Sequence, residues 1–212
     1  LGDINVQSIA GATSTGTHGT GIGFGNLATQ IAALKFLTAD GREVVASPTV
    51  NPELFDGGRI ALGNLGVLTE VSLRLVPAFR LRLERGKMHL EDCLAQADAL
   101  VAANRSFEFY WLPHTEAVLT KKWNTTDAPV DRMGVGRWFS DVLLENTAFG
   151  FLCDVGKAMP LLCPPLSRFC ASLISRGEQV DASWSMLSTV RQVRFNEMEW
   201  ALPAARGADA LR

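Results

Sequence analysis

Residues 8–27 read SIAGATSTGTHGTGIGFGNL, and six of the chain's 19 glycines fall between Gly11 and Gly25. Glycine lets a ligand approach main-chain N–H groups, and successive N–H groups can form a nest for an anion. Thr13, Ser14, Thr15, Thr17 and Thr20 add hydroxyl donors, while the first lysine or arginine is Lys35. A phosphate held here is therefore held by neutral dipoles, which suits a diphosphate bridge that stays bound and is not cleaved. GATSTGTH carries Thr17 where a Walker A loop needs lysine, and Gly19-Thr20-Gly21-Ile22-Gly23 puts Phe24 at the last glycine of GxGxxG. Neither phosphate fingerprint applies. A flexible linker is the plain alternative, but Ile9, Ile22, Phe24 and Leu27 interleave with the glycines.

Other groups have chemical capacity with a simpler structural explanation. Glu197 and Glu199 share one face of an expected strand, and paired carboxylates do acid–base work. A solvated strand face is the favoured reading. His114 in FYWLPHT reads as a satisfied histidine at a strand end, and Arg74, Arg80, Arg82, Arg85 and Lys87 as a solvated basic edge. Trp138, Phe139, Phe149, Phe151 and Leu152 give a helix a broad apolar surface. Core contact is the default, and attachment to a membrane interface the weaker option. Cys93, Cys153, Cys163 and Cys170 form no CxxC pair and no zinc spacing, so they read as buried thiols of a reducing compartment.

The chain has 212 residues, 47% hydrophobic and 20% charged, with a net charge of −2. That composition excludes disorder, collagen and a disulfide scaffold. The charge balance gives no field for nucleic acid. No run of 18 apolar residues suggests a transmembrane helix, and no leader pattern stands at the start. Opening in mid-motif on LGDINVQSIAG, the chain reads as a piece of a longer protein.

The expected elements follow from pattern. Gly11–Gly25 is too glycine-dense for helix or strand. Asp40-Gly41 between 31–38 and 42–47 marks a hairpin. A short helix starts at Pro52 and runs to Leu62. Val67, Thr69, Val71, Leu73 and Leu75 alternate with Leu68, Glu70, Ser72 and Arg74, the period of a half-buried strand. Past Pro77 come strands at 81–85, 107–112, 117–123 and 194–202, a polar loop at 124–131, and helices at 89–104, 138–157, 161–175 and just after Pro203. A domain boundary is expected near Pro77–Arg80.

The runs QSIAGATSTGTHGTG (7–21), GNLATQIAALKFLTADG (25–41), NPELF (51–55) and LGNLGVLTEVSLRLVPAF (62–79) closely resemble the FAD-linked sugar-1,4-lactone oxidases of the vanillyl-alcohol-oxidase-like superfamily. That family includes L-gulono- and D-arabinono-1,4-lactone oxidases and dehydrogenases. FEFYWLPHT (107–115) and VRFNEMEWALP (193–203) resemble its substrate domain, so the likeness spans nearly the whole chain in order.

The resemblance implies an α+β fold: the C-terminal part of a vanillyl-alcohol-oxidase-type FAD-binding domain over 1–78, then part of an α+β substrate, or cap, domain over 79–212. It implies FAD as cofactor. Carried over by motif position, Ala12 lies near the isoalloxazine ring. Thr17, Gly19 and Thr20 contact the cofactor through backbone and hydroxyl. Phe24, Gly25, Asn26 and Leu27 line the ribityl–phosphate path, with Phe24 in main-chain contact only, and Val67 is a further backbone contact. The implied reaction is hydride transfer from the C2 position of a lactone to flavin, with O2 or another acceptor taking the electrons. The implied location is cytoplasmic, with peripheral membrane contact as an option because some family members are membrane-associated. The family's flavin-linking histidine and substrate-activating Glu/Arg pair have no match here, so no catalytic residue is assigned. An alditol oxidase-like enzyme and a non-catalytic fragment are the competing readings.

Overall fold

The computed structural model describes residues 6–132, 146–188, 193–194 and 196–211. Two antiparallel sheets follow each other along the chain, with residues 74–79 running between them.

The first sheet holds β1 (Ile31–Leu37), β2 (Glu43–Ala46) and β3 (Val67–Leu73) in the order β2-β1-β3. Gly41 takes φ +81° in the β1–β2 turn, and Thr38 N–H donates to Arg42 O at 3.0 Å. Asp-Gly thus forms the hairpin that its composition demands. The core is Ala28, Ile31, Leu34, Phe36, Ala46 and Phe55, and each large apolar side chain buried there contributes about 1.5–3 kcal/mol. Helix α2 (Pro52–Gly58) brings in Phe55, and the bare Cα of Gly58 lets it lie against the Phe36 ring. It ends before the expected Leu62, because Gly57 and Gly58 withdraw side-chain support.

β3 departs from simple alternation. Lys35 pairs with Glu70 but Phe36 pairs with Leu68, which leaves Thr69 as an extra residue. Its hydroxyl donates to Lys35 O at 3.2 Å. The bulge reverses the face of everything before it. Leu68, Val71 and Leu73 pack on the core, while Val67 is 65% exposed.

The second sheet holds β4 (Arg80–His89), β5 (Ser106–Trp111), β6 (Ala117–Thr126) and β7 (Gly177–Ala182) in the order β5-β6-β4-β7. One face is covered by α3 (Leu90–Ala95) and α4 (Ala97–Ala103), around Leu90, Cys93 and Val118. The single helix expected over 89–104 breaks at Gln96, whose φ of −103° and ψ of 1° close one helix and open the next. On the other face, Leu81, Leu83 and Trp123 pack with Met186 from the short helix Ser183–Met186.

β6 extends through part of the expected polar loop. Asn124 holds its place in the ladder because its Oδ1 accepts from Arg105 N–H at 2.9 Å and its Nδ2 donates to Asn104 Oδ1 at 2.8 Å. β7 has no apolar alternation to announce it. Its pairing comes from the free edge of β4, with Arg82 reaching Glu178 at 3.2 Å across the ladder. The strand expected over 194–202 is not formed by its described residues. No described strand pairs with them, and Met198 and Trp200 are largely exposed. Glu197 and Glu199 are therefore not a paired strand face.

Of the helix expected over 138–157, residues 138–145 lie outside the described residues, and α5 (Phe149–Ala158) follows. Next come α6 (Cys163–Leu173), α7 (Ser183–Met186) and α8 (Gly207–Leu211). All four cysteines are free, but only Cys93 is buried and Cys153 is exposed, which corrects the reading of four buried thiols. No described helix is long and apolar enough to cross a membrane.

Candidate functional site

The glycine-rich run is partly helical, against expectation. Helix α1 (Ile9–Ser14) forms despite Gly11 because Ser8 caps it, its Oγ accepting from Gly11 N–H at 3.0 Å. The hydroxyls of Thr13 and Thr15 fold back onto the carbonyls of Ile9 and Gly11 at 2.8 and 3.0 Å. Gly16, at φ +71°, ends the helix.

The loop is closed at its base. Thr17 N–H donates to Ala12 O at 3.0 Å, and Leu27 N–H donates to Thr17 O at 2.8 Å. Asn26 then caps the single 3-10 turn Leu27–Gln30, its Oδ1 accepting from Thr29 N–H at 3.2 Å. That turn leads directly into β1. Gly25 lies so close to Thr29 that a Cβ would stand 2.6 Å from its Cγ2.

The tip of the loop docks on the second sheet. Ser106, buried at the start of β5, donates from Oγ to Thr20 O at 3.0 Å. The neighbouring Arg105 guanidinium lies 4.3 Å from the Phe24 ring centre and 4.8 Å from that of Phe79. Each such stack contributes on the order of 0.5–2 kcal/mol. Burial between the rings pulls the Arg105 pKa down from its ordinary value. Gly21 sits against this contact at φ +125°, where a Cβ would meet Phe24 Cδ2 at 2.5 Å and Arg105 O at 2.8 Å.

His18 makes a second tie. Its Nε2 is 2.7 Å from Glu199 Oε1 and its Nδ1 3.1 Å from Gly19 O. Both neighbours are acceptors, so the pair of contacts favours the protonated imidazole, in which both ring nitrogens donate. The Gly19 carbonyl first and the Glu199 carboxylate second raise its pKa above the ordinary 6.5. A raised histidine pKa stabilises the contact fully below that ordinary value, and the contribution fades as pH rises through the raised one. Proton NMR should show His18 titrating above 6.5, with amide protection over 196–200 falling as pH rises from 6 to 8. Both side chains are more than half exposed, so salt will weaken the effect.

The structure thus gathers Ala12, Thr17, Gly25, Asn26 and Leu27 at the base and presents Gly19, Thr20 and Phe24 at the tip. Val67 stands apart from these bonds. It pairs with Leu37, at the far end of β1 from Ile31, about 20 Å along the strand. Among the described residues, no acceptor takes the N–H groups of Gly19, Thr20, Gly23 or Gly25. Trp123 Nε1, buried beside Ser106 in the strand register, also has no partner. Unpaired neutral donors beside an open loop fit a bridging diphosphate group. Among the described residues no cluster of side chains could hold a metal.

Sequence reasoning did not find Arg105, Ser106 or Phe79 as docking residues, and it weighed Glu199 only as a strand-face carboxylate, not as the partner of His18. The docking pairs are far apart along the chain, and neither Arg105 nor Ser106 belongs to a motif.

Comparison with known proteins agrees with this architecture. The chain is 35% identical over its whole length to an L-gulono-1,4-lactone dehydrogenase of Mycobacterium tuberculosis, covering 49% of that protein. It is 32% identical to an L-gulonolactone oxidase of Scyliorhinus torazame, covering 48%, and 28% identical to a D-arabinono-1,4-lactone oxidase of Yarrowia lipolytica, covering 42%. The chain spans about half the length of the relatives it matches. Among solved structures, a variant of Brevibacterium sterolicum cholesterol oxidase superposes with a TM-score of 0.71 at 18% identity, over 92% of this chain and 42% of that one. A crystal structure of the same oxidase gives 0.66 at 20% identity, over 82% and 37%. These establish the α+β fold of the vanillyl-alcohol-oxidase type. The family model described as D-arabinono-1,4-lactone oxidase matches residues 71–212, which is more than half of the chain, and the chain belongs to that family.

Proposed function

We propose that the protein carrying this chain is an FAD-dependent oxidoreductase acting on a sugar 1,4-lactone of the D-arabinono or L-gulono type. The observation that carries this reading is the anchored loop with free, neutral N–H donors, in a chain of this family. The N–H groups of Gly19, Thr20, Gly23 and Gly25 would hold the diphosphate without a lysine. Thr17, Asn26 and Leu27 hold the loop's base in shape, and the Phe24 ring secures its tip. Ala12 would back the flavin ring from α1, and Val67 would add a more distant backbone contact. When bound, FAD supplies the two-electron acceptor for oxidation at the lactone's C2 hydroxyl.

In this reading residues 1–78 belong to the cofactor domain and 79–212 to the substrate domain. The small-molecule partner is a sugar lactone, and O2 or another acceptor removes the electrons. The location is cytoplasmic, with the exposed Phe151, Leu161 and Leu173 available for peripheral membrane contact. This chain by itself is expected to be inactive.

Turnover of L-gulono-1,4-lactone and of xylitol by the full-length protein tests the substrate class. The lactone is expected to be oxidised faster. Faster xylitol oxidation would replace the lactone with a linear polyol, and no oxidation of either would reject the enzymatic reading.

A further inference from the structure

The face of the second sheet that receives the glycine-rich loop carries more than the docking site. Side chains two apart on a strand share a face, and directly paired residues share it too. Ser106 pairs with Trp123, and the next positions on that face are Glu108 opposite Lys121 and then Tyr110 opposite Leu119. Glu108 therefore lies about 7 Å along β5 from the residue that holds Thr20. The opposite face is filled by α3 and α4 against Phe107 and Phe109, so it is closed to a ligand.

These groups are linked, and Glu108 and Lys121 keep bonding capacity. Tyr110 O–H donates to Glu108 Oε1 at 2.8 Å, and Lys121 Nζ lies 4.6 Å from the Tyr110 ring centre. Lys121 reaches Glu108 Oε1 only at 3.7 Å, too long for a good hydrogen bond. The ammonium keeps N–H groups to offer, and the second carboxylate oxygen keeps its lone pairs. The side chains of Glu108 and Lys121 are 24% and 21% exposed, which leaves them reachable but sheltered.

We propose that Glu108, Tyr110 and Lys121 form a specificity subsite that reads the hydroxyl groups of a polyhydroxylated substrate. This rests on the flavin reading above, which puts the cofactor at the loop. A carboxylate accepts hydrogen bonds from hydroxyl groups and an ammonium donates to hydroxyl oxygens, while the Tyr110 hydroxyl orients the carboxylate. The same carboxylate would repel a diphosphate, so the subsite belongs to the substrate and not to the cofactor.

The test uses the full-length protein with Glu108→Gln, Lys121→Met and Tyr110→Phe. Flavin content is read from the visible spectrum, and kcat and KM are measured for L-gulono-1,4-lactone and for 2-hydroxy-γ-butyrolactone, which lacks the hydroxylated arm. In Glu108→Gln the KM for the hydroxylated lactone is expected to rise roughly 10-fold or more, beyond any fall in kcat, with flavin content retained. The preference for the hydroxylated lactone should fall by a similar factor, and Glu108→Asp should recover part of it. Tyr110→Phe, the mildest change, should shift the preference in the same direction even if the charge variants fold poorly. An unchanged preference in variants that keep flavin overturns the subsite alone, as does an equal loss on both lactones. A colourless wild-type protein overturns the flavin reading, and the subsite with it.

Discussion

Gly21→Ala will detach the glycine-rich loop from the second sheet and lower its affinity for FAD by roughly 100-fold. The backbone there has φ +125°, which an L side chain rarely adopts. The new methyl would also stand 2.5 Å from the Phe24 ring and 2.8 Å from the Arg105 carbonyl oxygen. The ring can turn away, but turning it removes the stack that holds Arg105. The carbonyl can shift only with the start of β5, which takes Ser106 away from Thr20. Backbone strain and overpacking each cost about 1–3 kcal/mol, and both act at the same residue. A fluorescence titration with FAD checks this. Gly57→Ala, outside the loop, is the control, because a Cβ there would meet nothing within 4 Å, so both the FAD affinity and the melting temperature should hold. Equal affinity in wild type and Gly21→Ala would show that docking of the loop tip does not shape the site.

Gly66→Ala will destabilise the first sheet by about 2–4 kcal/mol. Gly66 precedes β3 at φ +125°, and a Cβ there would collide with the main-chain carbonyl of Leu37, the last residue of β1. Neither group can yield as a flexible side chain would. The chain must open the Leu37–Val67 end of the ladder, and Leu68 then loosens from the core. Thermal unfolding should show a fall in melting temperature of roughly 5–15 °C for a domain of this size. A fall below about 2 °C would mean that the β1–β3 connection tolerates a side chain there.

The contrast between these two glycines and the rest explains what could be read from sequence. The β1–β2 hairpin was legible because Asp40-Gly41 encodes its turn locally, β5 because Phe107, Phe109, Tyr110 and Trp111 crowd it, the start of β4 because Leu81 and Leu83 alternate with arginines, and β6 because Val118, Leu119 and Thr120 favour a strand. The bulge at Thr69 was not, since an alternating pattern gives a period without saying where the phase slips. β7 was hidden because an edge strand of charged and polar residues takes its conformation from its neighbour. The described residues of 194–202 show the converse: alternation with no described strand beside it makes no strand. At the site, the loop's capacity for close approach was written in its glycines, and the family likeness in runs such as QSIAGATSTGTHGTG. The docking of Arg105 between Phe24 and Phe79 was not, because it joins residues more than 20 positions apart that have no common motif.

The central claim is that the loop between α1 and β1 holds a flavin. The measurement that tests it most directly is the visible absorption spectrum of the purified full-length protein, wild type and Gly21→Ala, after incubation with FAD and removal of unbound cofactor. The account predicts flavin bands in the wild type and their loss in the variant. A wild-type protein without flavin bands would contradict it.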